Sequence, residues 1–151
     1  MADHGFMLNA CNSVSGRLAV VEDNGIVGWL YLTETAGRKP VADVWLYNRI
    51  NAPAAKQVQS YRGSPPPAPT GFVTDAAIQT PGEGDSWLFQ WSEDGESVAL
   101  LRDGQAMAWL SADSKSGYTR LLLKDGPWGK QWDQELFDRL FADADSREAK
   151  S

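Results

Sequence analysis

The chain has one histidine, His4, and one cysteine, Cys11, and these scarcities bear first on chemistry. A serine or cysteine nucleophile needs an imidazole to take its proton. The one available lies in an unpatterned N-terminal stretch, and no Gly-x-Ser-x-Gly elbow occurs. A single thiol allows no disulfide within the chain, and one thiol with one imidazole falls short of a zinc ligand set. Phosphate cradles are missing as well: Gly82-Glu83-Gly84 has no following lysine, and its acid would repel phosphate. Positive charge is also in short supply, with 14 Lys and Arg against 20 Asp and Glu, a net charge of −6. Such a chain is repelled by nucleic acid and by anionic membrane, and it attracts a basic protein. No apolar run approaches the roughly 20 residues that span a bilayer. Leu8-Asn9-Ala10-Cys11 has the look of a lipoprotein cleavage site, but no Lys or Arg precedes it and the apolar stretch is too short. The expectation is a cytoplasmic protein with no catalytic residue, no metal and no cofactor.

Turn chemistry and aromatic residues are what the chain has in quantity. Arg17–Glu22 and Ile26–Thr33 flank Asn24-Gly25, a pair that tolerates the positive φ of a tight hairpin. The residues 41–50 (Val44, Trp45, Leu46, Tyr47) favour a strand over a short helix. Further on, Trp87–Trp91, Ser97–Arg102, Gln105–Ser111 and Tyr118–Leu123 read as strands separated by Glu93-Asp94-Gly95, Asp103-Gly104 and the segment 113–117. A short strand over Phe72–Ile78 is also expected. The period then changes: Asp133 is placed to cap a helix on which Leu136, Phe137, Leu140 and Phe141 form one apolar stripe.

The predicted fold is mostly β, of the α+β kind. It is an antiparallel meander, curved or closed into a partly open barrel, with one C-terminal helix packed on it. Residues 1–15 read as a loosely held arm and 16–142 as a single domain. Residues 60–71, with Ser64-Pro65-Pro66-Pro67-Ala68-Pro69, read as a long surface loop, and 143–151 as a frayed tail.

Several segments in order, Val21-Glu22-Asp23-Asn24-Gly25, Gly28-Trp29-Leu30-Tyr31, Asp43 to Asn48, Trp91-Ser92-Glu93-Asp94-Gly95 and Gly117-Tyr118-Thr119-Arg120, carry a resemblance. Over roughly 18–123 the chain resembles a small family of uncharacterised bacterial proteins, a domain of unknown function. The resemblance implies no activity and no functional residue.

Three functions compete. A non-enzymatic protein-binding module, of the immunity-protein kind, would meet a basic partner with Glu22, Asp23, Glu93, Asp94 and Asp103. A small-molecule binder would use an aromatic pocket built on Trp87, Phe89 and Trp91, which share one face of a strand. A hydrolase would need two facing carboxylates. The acidic turns lack the Asp-x-Asp-x-Asp-Gly spacing of a calcium loop. Oligomeric state is left open, a homodimer included.

Overall fold

Each hairpin is set by local turn chemistry. In the computed structural model, which describes residues 5–61, 64–81 and 84–141, β1 (Phe6–Cys11), β2 (Leu18–Asp23), β3 (Val27–Thr33) and β4 (Pro40–Asn48) form an antiparallel meander. The β2–β3 turn is held by its own side chains. Asp23 Oδ1 accepts from the Gly25 amide at 2.8 Å, and Asn24 Oδ1 from those of Ile26 and Val27. A second meander follows: β5 (Trp87–Trp91), β6 (Ser97–Arg102), β7 (Gln105–Ser111) and β8 (Ser114–Thr119). Between β6 and β7 both Asp103 (φ 52°) and Gly104 (φ 84°) are left-handed, as a two-residue type I′ turn requires. A short β9 (Lys130–Gln131) pairs with β8, and helix α1 spans 134–141.

The two meanders join edge to edge through β4 and β8, giving the order β1-β2-β3-β4-β8-β7-β6-β5. This joint is parallel, with Asp43 opposite Ser116, a parallel rung between two antiparallel meanders; the mostly β, barrel-like sheet with one C-terminal helix packed on it is as expected. The strands are far apart in sequence, so no crossover within a single short connection is needed. The sheet curls until β1 and β5 face one another across a single seam, a nearly closed barrel.

Inside lie Ala19, Val21, Leu30, Leu32, Val44, Leu46, Val98, Leu100 and Leu110, all buried. The alternation of β6 and β7 puts Ala99 and Trp109 on the outside, where α1 covers them with Phe141. Asp133 caps that helix as expected, its Oδ1 accepting from the Leu136 amide at 3.0 Å. A register shift between Gly28 and Trp29 lets β4 carry an extra residue, which turns Tyr47 inward and Asn48 outward. Gly28 makes room for it: a Cβ there would stand 2.6 Å from Tyr47 Cζ.

Four expectations about elements are corrected. Phe6–Cys11 is not part of a loose arm but an edge strand, with Phe6, Leu8 and Ala10 turned to the core and Met7, Asn9 and Cys11 exposed. The Pro-rich segment is not a surface excursion over its whole length. Pro67, Ala68 and Pro69 are buried against the outer face of β3 and β4, beside Trp29 and Trp45. Phe72–Ile78 is not a strand but two isolated bridges around a 3-10 turn, Asp75–Ala77. The last long strand ends at Thr119, because Leu121 and Leu122 leave the ladder to cover the outer face. Residues 143–151 and His4 lie outside the described residues.

Candidate functional site

The five acidic residues do not converge. Phe6 pairs with Asp23 in the ladder and packs its ring against Trp87, which pairs with Arg102 beside Asp103. Asp23 and Asp103 therefore lie toward one end of the barrel, while Glu93 and Asp94 occupy the β5–β6 turn at the other. Asp23 is not at the surface, a correction to its reading as a partner contact. Its side chain is fully buried; Oδ2 accepts from Tyr47 Oη at 2.5 Å and from Arg49 Nε at 2.9 Å. Burial and that hydrogen bond push the Tyr47 phenol well above its ordinary pKa, so it remains a donor. A second ion pair stands nearby, with Arg102 between Asp85 (2.8 Å) and Gln79 (2.8 Å). These groups are satisfied within the fold and tie the barrel end together.

Of the remaining acids three are exposed and Glu22 is half-buried. Asp103 is exposed, and its Oδ1 accepts from the Ser86 amide at 2.8 Å. Asp94 is exposed and accepts from the Glu96 amide (3.0 Å) and Ser92 Oγ (2.8 Å), bonds that hold its carboxyl below the usual range. Glu93 is exposed beside it. Glu22 stands on the outer face of β2, opposite exposed Met7 of β1.

The aromatic residues of β5 share a face, as their spacing implies. Trp87, Phe89 and Trp91 all pack against the interior core, half-buried, and do not form a cup open to solvent. Two open clefts flank α1 on the outside. One, of about 690 Å³, is lined by Leu88, Gln90, Leu101, Gln105, Arg120 and Phe137, and Phe89 and Trp91 touch it from β5. The other, of about 570 Å³, is lined by Asp94, Ser97, Ser111, Ser114, Lys130 and Leu136. Among the described residues no group of three or more His, Cys, Asp or Glu is placed to hold a metal. Asp43, on the outer face opposite Tyr31, is half-buried, and burial raises its pKa.

Among the described residues the ladder breaks at one seam, between β1 and β5. Both β1 and β5 lack a neighbour on one side, and nearly all Cα pairs between them lie more than 8 Å apart. Side chains span the gap at each end. Phe6 and Trp87 meet at one, with ring centroids 5.8 Å apart, and Arg17 pairs with Glu96 at 2.9 Å at the other. Phe6, Leu8, Trp87, Phe89 and Trp91 floor it, all half-buried. Met7, at 59% exposure, and Leu88, also at 59%, stand at its mouth. Sequence reasoning missed this place because β1 was missed. The signal was the alternation Phe6, Leu8, Ala10 against Met7, Asn9, Cys11, weakened by residues of low strand preference. No protein-family model, no curated protein and no solved structure matches this chain.

Proposed function

We propose that this protein is a non-catalytic module that binds a basic protein, in the manner of an immunity protein. One observation carries the reading: an uncharged sheet edge lies between acids, half-buried Glu22 on one side and exposed Glu93 and Asp94 beyond the end of β5. Asp103, exposed near the other end, adds to the same field. With a net charge of −6, encounter with a cationic partner is steered. Asp23 is left out of the contact set, since its carboxylate is already bonded to Tyr47 and Arg49. A small-ligand reading is weaker, because a pocket for such a ligand encloses most of its surface, and both clefts beside α1 are open.

The test is kinetic. A cationic partner, sought first in the neighbouring gene, is mixed with the protein in stopped flow and followed by tryptophan fluorescence. Association is expected to slow steeply with salt, dissociation to change little, and E93K/D94K to slow association further. Rates indifferent to salt and to that reversal would overturn the electrostatic reading.

A further inference from the structure

Among the described residues, the arginines that the fold takes out of solvent are answered by acids, with one exception. Arg17 pairs with Glu96, Arg49 with Asp23 and Arg102 with Asp85. Arg120, half-buried just past the end of β8, has no carboxylate partner among the described residues. Two contacts nevertheless hold its guanidinium in place. Nε donates to the Ala106 carbonyl at 2.5 Å, and the guanidinium carbon stands 4.0 Å from the centroid of the Trp132 ring. The hydrogen bond uses Nε alone, so the two terminal nitrogens make none.

Arg120 lines the larger cleft beside α1, of about 690 Å³, and is the one charged group among the described residues there. The smaller cleft is different, with Asp94, Glu96, Asp113 and Lys130 in its walls. An acidic chain thus keeps a lone cation in a cleft whose other walls include Leu88, Leu101 and Phe137. A guanidinium that has lost part of its hydration gains most from an anion that replaces it. Its planar fork matches a carboxylate, which accepts two parallel bonds.

We propose that this cleft binds the C-terminal end of a peptide chain. The terminal carboxylate sits on the two unbonded nitrogens of Arg120, and the last side chain, apolar, lies against Leu88, Leu101 and Phe137. Three features select that ligand. The fork calls for a carboxylate, and the walls call for an apolar group close to it. The third feature is the openness of the cleft, which leaves one face of any ligand in water. A hydrocarbon acid would keep apolar surface wet there, whereas a peptide turns its backbone amides outward. The side-chain amide of Gln105, exposed in the same cleft and without a hydrogen bond among the described residues, supplies a partner for one of them. No acid takes part, so the site stands apart from the basic-partner reading.

The probe is acetyl-Ala-Ser-Ala-Leu, made once with a free C-terminal carboxylate and once as the C-terminal amide. Each form is titrated into the full chain labelled with nitrogen-15. The free acid should shift the Arg120 Nε–H, the Trp132 indole N–H and the Gln105 side-chain amide together and saturably. The amide form should bind at least about tenfold more weakly, since it cannot take both bonds of the fork. Arg120→Lys keeps the charge but loses the fork, and should abolish most of the difference between acid and amide. Leu88→Glu, at a position 59% exposed, sets a carboxylate in the cleft and should weaken the free acid by a similar factor. Equal affinity for acid and amide would overturn the proposal, as would absence of saturation at millimolar peptide. Shifts centred on Lys39 and Lys115, which line a different cleft, would overturn it too. Octanoate binding more tightly than the peptide would refute the peptide end and assign the cleft to a free hydrocarbon acid. If Arg120→Lys fails to fold once Trp132 is released, Leu88→Glu decides alone: unchanged affinity there refutes the site.

Discussion

Behind β3 and β4 the outer face is covered by the described part of the β4–β5 connection, coil with short 3-10 helices at Ala55–Tyr61 and Asp75–Ala77; behind β6 to β8 it is covered by α1. The two covers are held by different forces. The coil is tied by hydrogen bonds. Asn48 accepts from Trp45 Nε1 and from the Ala68 amide and donates to the Ala68 carbonyl, each at 2.9 Å, and Trp29 Nε1 donates to the Pro66 carbonyl at 3.1 Å. The helix is docked by rings. Phe141 meets Trp109 edge-on with centroids 6.5 Å apart, and Trp109 stacks on Tyr118 at 4.2 Å. The indole N–H groups of Trp29 and Trp45 have partners, whereas that of Trp109 has none among the described residues, and neither has that of Trp128 on the coil side. The coil parts of a cover must satisfy their backbone through side chains; an α-helix satisfies its own and needs mainly apolar contact.

The sharpest way to break this contrast is Asn48→Ala. It strands three buried polar groups at once, and a loss of about 4 kcal/mol is expected in urea denaturation followed by tryptophan fluorescence. A loss under about 1 kcal/mol would mean that the coil is held by something other than Asn48. Phe141→Ala should cost about 3 kcal/mol by cavity formation, without altering exchange of the Ala68 amide. If that amide loses protection as well, the two covers are not independent.

A finer comparison sets Trp45→Phe beside Trp109→Phe. Both remove similar ring area, but only the first discards a satisfied indole bond and leaves Asn48 Oδ1 short of a donor. Trp45→Phe should be the costlier by about 1–2 kcal/mol, and equal losses would show that the hydrogen bond adds nothing.

The smallest effect concerns pH and lies at the joint between the halves. Burial raises the Asp43 pKa in the fold, so its ionised form disfavours folding and that penalty lifts as pH falls toward the ordinary carboxylate value. Asp94 works the other way: its lowered pKa stabilises at neutral pH and is lost in acid. Asp43→Asn should raise the melting temperature slightly at pH 7, with the gain vanishing near pH 3. A gain that persists unchanged in acid would be unrelated to ionisation.

Legibility in the sequence followed the range of the interaction. Gly25 (φ 87°) with the Asn24 side chain, and Asp103-Gly104, announce their hairpins because the turn makes its demands locally, and the stripe Leu136, Phe137, Leu140, Phe141 announces α1 through local periodicity. The parallel joint of Asp43 with Ser116 carries no local mark. Ser114-Lys115-Ser116-Gly117 reads as turn chemistry, and becomes strand because β4 and β7 flank it. Proline misled in the other direction, since Pro67 and Pro69 are inside through the grip of Asn48 on Ala68. The candidate site was legible only in its acids and in Trp87, Phe89 and Trp91. The seam between β1 and β5 is a property of closure, which no single strand encodes. Recognising β1 reverses one expectation: deleting residues 1–12 should unpair β2 and destabilise the domain severely.

The joint between β4 and β8 also orders events in time. Every other rung of either meander is made by residues close in the chain, which find each other quickly, whereas Asp43 must wait for Ser116 to return across the whole intervening segment. The hairpins are therefore expected to form first as two separate stacks, and their zipping together along β4 and β8 to set the refolding rate. Until that step is complete, the aromatic residues of β5 and the apolar side of β1 are open to any chain nearby. A cell making this protein would accordingly have most reason to chaperone it in that interval.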